Sequence, residues 1–373
     1  MQGEGRRTNI GITYNNKSAT KSLNDFIEEL DYSDVASGGS DEASLTLDNQ
    51  DMRFLRKWKP LKGAKVSFTF KMNDWDKEGI AKSFKTGKLV VDDLSAQGGD
   101  GQGSTFTMKA VSAPVKSGFK DTERQKTYKN ATVKTIASKI AKRAGIALHY
   151  EAGNIKIKEI EQSKESDASF LQGICDDYGL GFKIFNDKIV IFDEEKYEKK
   201  APIVTLCRTA ASKKVDGNKN LGTVIGWSWN TTMQRTYTGA TVTYTDSSSN
   251  KKHKAKVGKK GRQLKLNVSA FSKNDAKLKA KAALRNENKK RTTVTVSIQP
   301  DPRLIATDTV KLYGFGKASG KYYIDEVKHS ISRSDGYTME LTMHKVPTSS
   351  SGSGTAVGGG IEDTDPTRGG GGA

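Results

Sequence analysis

Two distant stretches of this chain carry one pattern. Residues 87–94 read Gly87-Lys88-Leu89-Val90-Val91-Asp92-Asp93-Leu94, and residues 320–327 read Gly320-Lys321-Tyr322-Tyr323-Ile324-Asp325-Glu326-Val327. Each is Gly-Lys, three strand formers, Asp, a second acid and an aliphatic. An alternating strand follows each, with Phe106, Met108 and Ala110 after the first and Tyr337, Met339, Leu341 and Met343 after the second. Another precedes each, at Val66, Phe68, Phe70 and at Val310, Leu312. An internal repeat fixes architecture before any other feature. The period is too long for a solenoid, so the pattern implies a diverged duplication of one β-domain.

The chain has 373 residues, enough for two or three domains. It contains no apolar run of bilayer-spanning length, so no helical membrane insertion is expected. The Met1–Lys17 stretch lacks the apolar segment of a secretory signal. Two cysteines, Cys175 and Cys207, make neither a disulfide framework nor a zinc site. Synthesis in a reducing cytoplasm is expected. The net charge of +19 is spread along the chain. Its one dense cluster is Lys251, Lys252, Lys254, Lys256, Lys259, Lys260 and Arg262, expected to be a solvated loop between strands at Val242–Tyr244 and Leu264–Val268.

Residues 1–115 are expected to form a first β-barrel, with strands at Ile10–Tyr14, Phe26–Tyr32, Ser44–Leu47, Lys65–Phe70, Lys88–Leu94 and Thr105–Val111, and with strands from 201–225 completing it. Lys65–Phe70 alternates strictly, as a half-buried strand does. Residues 116–200 change period and predict a small α+β module. Thr132 caps a helix carrying Val133, Ile136, Ala137 and Ile140 on one face, and Gly145 ends it. Ser166 opens a second helix with Phe170, Leu171, Ile174 and Tyr178, closed by Gly179. Asn186-Asp187 then turns a hairpin.

Residues 201–347 predict a second barrel with an alanine-rich helix at 272–288. In its Tyr322–Ile331 strand the apolar phase slips between Ile324 and Val327, which predicts a β-bulge at Asp325-Glu326 with a counterpart at Asp92-Asp93. Residues 348–373 are rich in Gly and Ser and predict a flexible tail. The fold class is therefore mainly β, with two similar barrels flanking an α+β module.

Chemistry-bearing constellations are missing from the pattern. The four histidines, His149, His253, His329 and His344, have no metal-ligand spacing. The acid pairs Asp92-Asp93, Asp176-Asp177 and Glu194-Glu195 lack the geometry of a paired-carboxylate site. The turn with Gly98, Gly99, Gly101 and Gly103 lacks the GK[ST] ending of a phosphate loop. Trp227 and Trp229 share a strand face but are not organised for stacking bases. No catalytic residue, cofactor or metal is expected, and no specific nucleic-acid binding.

Several of these residues also carry a family pattern. Asp301-Pro302, Val310-Lys311-Leu312, Gly320-Lys321-Tyr322, Val327-Lys328-His329 and Gly336-Tyr337-Thr338-Met339-Glu340-Leu341 resemble the C-terminal part of the phage late control protein D family. So do Tyr128, Asn130, Thr132-Val133, Ile136, Ala141 and Gly145, then Ser166-Asp167, Ser169-Phe170-Leu171 and Tyr178-Gly179-Leu180. One departure is Thr307-Asp308, where the family pattern has Pro-Gly.

The resemblance implies a structural baseplate hub of a contractile phage tail or related contractile injection system, such as a bacteriocin, located in the virion tail baseplate. It implies a homotrimer whose six barrels form a pseudo-sixfold ring, with the tail tube protein on one side, a central spike protein on the other and further baseplate proteins around it. The barrel strands and the alanine-rich helix would make ring contacts, the α+β module would lie at the periphery, and loops such as Ser247–Arg262 would reach neighbours. The alternative is a peptidoglycan-binding or wall-degrading tail protein acting through residues 128–193.

Overall fold

The computed structural model describes residues 6–75, 79–101, 103–113, 118–208, 221–234, 236–245 and 251–347. The tail at 348–373 and the start of the expected Ser247–Arg262 loop lie outside them.

The first part contains β1 (Arg7–Tyr14), β2 (Lys17–Ser18), α1 (Thr20–Leu23), β3 (Ile27–Val35), β4 (Glu42–Asp48), β5 (Lys65–Asn73), β6 (Ala81–Lys85), β7 (Leu89–Gly99) and β8 (Gly103–Val111). The middle contains β9 (Arg124–Thr132), α2 (Val133–Ala144), β10 (Ala147–Glu151), β11 (Lys156–Glu165), α3 (Asp167–Tyr178), β12 (Leu180–Phe185), β13 (Lys188–Asp193) and α4 (Glu194–Glu198). The last part contains β14 (Val204–Cys207), β15 (Leu221–Thr231), β16 (Gly239–Thr245), β17 (Lys252–Gly258), β18 (Gln263–Asn267), α5 (Lys273–Lys289), β19 (Thr292–Ile298), β20 (Thr309–Tyr313), β21 (Gly320–Ser332) and β22 (Gly336–Lys345).

The duplication is visible in the strand order. The first sheet runs β1-β5-β7-β8-β4-β3, and the second runs β14-β20-β21-β22-β19-β15. In chain order both are first, fourth, fifth, sixth, third, second. The β7–β8 and β21–β22 hairpins also agree in register. Val91 faces Ala110 and Gly99 faces Gly103, as Ile324 faces Met343 and Ser332 faces Gly336. Each hairpin has one register shift, at Asp92 in β7 and at Asp325 in β21, so the expected bulge occurs in both copies. A second shared bulge lies in the second strand of each copy, at Glu28 in β3 and at Ile225 in β15.

The copies differ at their first strand. β1 runs antiparallel to β5, whereas β14 runs parallel to both β20 and β15 and closes the second barrel into a ring. Each copy has its own core, one around Leu30, Leu45, Phe68 and Phe106, the other around Leu206, Val296, Leu312 and Leu341.

The two barrels form one sheet because β21 belongs to both. Its first residues pair with β20, and its last, Glu326–Ser332, pair antiparallel with β3. This corrects one expectation. The strand of 201–225 expected to complete the first barrel, β14, pairs in the second, and the first is extended from β21. The physical reason is the length of β21: thirteen residues reach past its own barrel and present a free edge to β3.

The middle module is built by its caps. Thr132 accepts from the Thr135 N–H and Gly145 closes α2 at φ +69°; Ser166 accepts from the Ser169 N–H and Gly179 closes α3 at φ +67°. β13 lies between β10 and β12, and the turn at Asn186 and Asp187 has both residues left-handed.

Between β15 and β19, strands β17-β16-β18 form a separate sheet covered by α5. The basic cluster is therefore part strand and part loop, with Lys251, Lys259, Lys260 and Arg262 outside β17. Lys252, Lys254 and Lys256 lie on β17, an edge strand paired on one side with β16. Lysines on such an edge disfavour unwanted strand addition. Ala276 and Ala280 of α5 are buried within this layer, and Ala282 sits against Gly179.

Candidate interaction surface

The histidines and acids singled out in the sequence do not converge. His149 is exposed beside Glu151 on β10, and His253 stacks on Tyr244. His344 is buried, with Nδ1 2.8 Å from Asp325 and Nε2 3.0 Å from Glu198. Glu194 faces Lys289 and Arg285, while Glu195 faces Lys199 and Lys281. These pairs tie α4 to α5 and to β22. Arg262, from the basic cluster, donates to the Met233 and Gln234 carbonyls. Burial opposes a charge on His344, but Asp325 and Glu198 outweigh it and hold its pKa up at about 9.

His329 has the opposite environment. It is stacked on Phe84 at 4.4 Å, lies close to Phe70 and Tyr32, and has Nδ1 2.7 Å from the Tyr337 hydroxyl. Its Nε2 is buried with no hydrogen-bond partner among the described residues. Burial pushes its pKa down to about 3, so the ring is neutral.

This aromatic cluster marks the joint between the barrels. Leu30 and Tyr32 of β3 face Ile331 and His329 of β21, and Tyr337 joins the same core. The Ser33 hydroxyl donates to Glu326 across the joint. The end of the second copy's hairpin thus covers the first barrel.

Among the described residues, none covers the equivalent place on the second barrel. Trp227 and Trp229 stand opposite Val296 and Val294 of β19, so they occupy the core-facing side of β15. Leu30 and Tyr32, their counterparts, are 0% and 1% exposed, whereas Trp227 is 53% and Trp229 40% exposed, beside Ile225 at 73%. Trp227 touches Phe315 edge-on, with ring centroids 5.6 Å apart. Along its other edge β15 pairs with β14 through Leu221–Thr223 only. Among the described residues, Gly226–Thr231 have no backbone partner on that edge.

A second open edge lies on the first barrel. β7 pairs with β5 at Leu89 and Val90 alone, and Val91 bonds to Gly63 and Ala64. Beyond it, Asp93–Gly99 pair with β8 on one side and with no described backbone on the other. Residues 95–99 are exposed. Sequence reasoning found the Trp227–Trp229 face but not these edges, since an edge depends on which strands arrive beside it.

The comparisons agree with this architecture. The chain is 23% identical over 272 residues to the "Probable baseplate hub protein" of Escherichia phage 186. The alignment covers 71% of this chain and 63% of that relative, less than two thirds of its length. Among solved structures, the tail protein from Neisseria meningitidis MC58 superposes with a TM-score of 0.66 at 13% identity, over 91% of this chain and 96% of that one. The 43 kDa tail protein of prophage MuSo2 from Shewanella oneidensis also gives 0.66, at 12% identity over 91% and 98%. The expected resemblance to a baseplate hub protein and the tail-protein fold are therefore borne out. The family model described as the Alg8 N-terminal domain matches residues 95–333, more than half of the chain, and the chain belongs to that family.

Proposed function

We propose that this chain is a structural, non-catalytic hub of a phage-type tail baseplate. It assembles as a homotrimer and adapts a sixfold tail tube to a threefold central spike. One observation carries this: two barrels with the same strand order lie side by side in one chain, joined strand to strand through β3 and β21. A contact between unlike faces either closes into a ring or runs on as a filament. Two equivalent barrels per subunit let three subunits present six similar units. The kinship with a baseplate hub protein supports the same reading.

Native mass spectrometry of the full chain over a concentration series tests the stoichiometry, and electron micrographs of the particles test the ring. The expected result is a trimer with six similar lobes around a channel. A monomer at the highest concentration, both alone and with its tube protein, would overturn the assignment. Release of muropeptides from purified cell walls that depends on residues 128–193 would favour the wall-degrading alternative.

A further inference from the structure

The geometry points to the surface by which one copy of this chain binds the next: the β15 edge adds to the β7 edge of a neighbouring copy, with Trp229 opposite Ala96 and Trp227 opposite Gly98. This rests on the ring assignment above and specifies its unseen joint.

The argument is one of equivalence. Within the chain, the second strand of the first copy, β3, pairs with the fifth strand of the second, β21. The converse pair is the second strand of the second copy, β15, and the fifth strand of the first, β7. Among the described residues, both have an open edge at the required place. One chain cannot join them while β3 and β21 are paired, because each contact lies on opposite flanks of the two-barrel unit. A second copy supplies the partner.

The shared bulges fix the register. Aligning β7 with β21 at Asp92 and Asp325 places Ala96 at His329 and Gly98 at Ile331. Aligning β15 with β3 at Ile225 and Glu28 places Trp227 at Leu30 and Trp229 at Tyr32. His329 faces Tyr32 and Ile331 faces Leu30 inside the chain, so Ala96 faces Trp229 and Gly98 faces Trp227 between chains.

Side-chain sizes fit that pairing. In the internal joint, β21 contributes the large groups His329 and Ile331. In the external joint, β7 contributes Ala96 and Gly98, and β15 contributes two indoles. The volume moves from one strand to the other, so the indoles find room on the small-residue edge. Their burial also removes an exposed aromatic patch and the open strand edges, both features of an interaction site.

The register can be read by disulfide trapping. Gln97 and Ser228 are both exposed and fall directly opposite each other. Facing residues on paired antiparallel strands are about 4.5–5.5 Å apart at Cα, within disulfide range. The native Cys175 and Cys207 are buried.

Full-length Gln97→Cys and Ser228→Cys preparations are mixed and oxidised with diamide. The expected product is a covalent dimer containing one of each. Gln97→Cys mixed with Thr231→Cys, displaced along the strand by about 10 Å, gives none. Ala96→Arg weakens self-association by at least roughly tenfold, as charge placed at an interface centre does.

A trimer by mass in which the 97/228 pair stays reduced and Ala96→Arg has no effect overturns this joint while the ring assignment survives. A protein that is monomeric throughout overturns both.

Discussion

Lys183 and Asp34 form a buried ion pair, with Nζ 2.7 Å from Oδ1, that binds the middle module to the first barrel. Asp41 joins the same ammonium at 3.0 Å. The other Asp34 oxygen accepts from the Ala306 N–H, so one carboxylate connects the module and both barrels. The module is therefore fixed in orientation by charges that only the folded chain brings together.

Breaking that node leaves two buried carboxylates without their cation. Lys183→Met is expected to cost about 3–5 kcal/mol at pH 8. Burial raises the Asp41 pKa to about 7, against the pull of Lys183. The proton that Asp41 gains on acidification relieves the loss, so the deficit is smaller at pH 5. Urea unfolding of the variant at both pH values measures the difference.

His344 sets an alkaline limit. Its folded pKa of about 9 lies above the unfolded value, so its contribution is full below about 6.5 and is lost as pH rises through 9. The shift is worth on the order of 3 kcal/mol. His344→Gln should flatten the stability profile between those values, read as the urea midpoint from pH 6 to 10.

His329 acts on the acid side. Its folded pKa of about 3 is depressed, so the unfolded chain takes up a proton that the folded chain refuses. Stability is full above about 6.5 and falls as pH drops toward 3. His329→Phe keeps the ring stacking and removes the unpartnered Nε2. Its acid limb should be shallower than that of the parent protein in thermal melts from pH 4 to 7.

Thr307 occupies a left-handed backbone position at φ +84°, where the first copy has Gly63 at +83°. Both turns bond to their bulged strand, Thr307 N–H to the Ile324 carbonyl and Gly63 N–H to the Val91 carbonyl. A β-branched residue is strained there, at a cost of order 1–3 kcal/mol. Thr307→Gly is expected to raise stability by about 1 kcal/mol after the greater freedom of unfolded glycine is counted. Gly63→Thr should lower it, and chemical denaturation of both variants checks the sign.

Much of the local structure was legible. The caps at Thr132 and Ser166, the closing glycines at 145 and 179, and the bulge at Asp325 all act within a few residues, so periodicity and capping chemistry expose them. The strands β6, β9 and β11 were missed. β9 and β11 are largely polar and pair with each other outside the large sheet, so their apolar alternation is weak. β17 was concealed by its lysines, which lie on an edge exposed to solvent.

The amino-acid order alone determined α2, α3 and α5, the turns and the fact of duplication, because each rests on contacts between near neighbours or on direct likeness. Only tertiary structure decided that β21 serves both barrels, that Asp34 meets Lys183, and that the β7 and β15 edges stay open among the described residues. Those outcomes depend on segments far apart in the chain meeting in space. A strand carries its pleat in its own residues, but its partner is chosen by whichever free edge the rest of the fold places beside it.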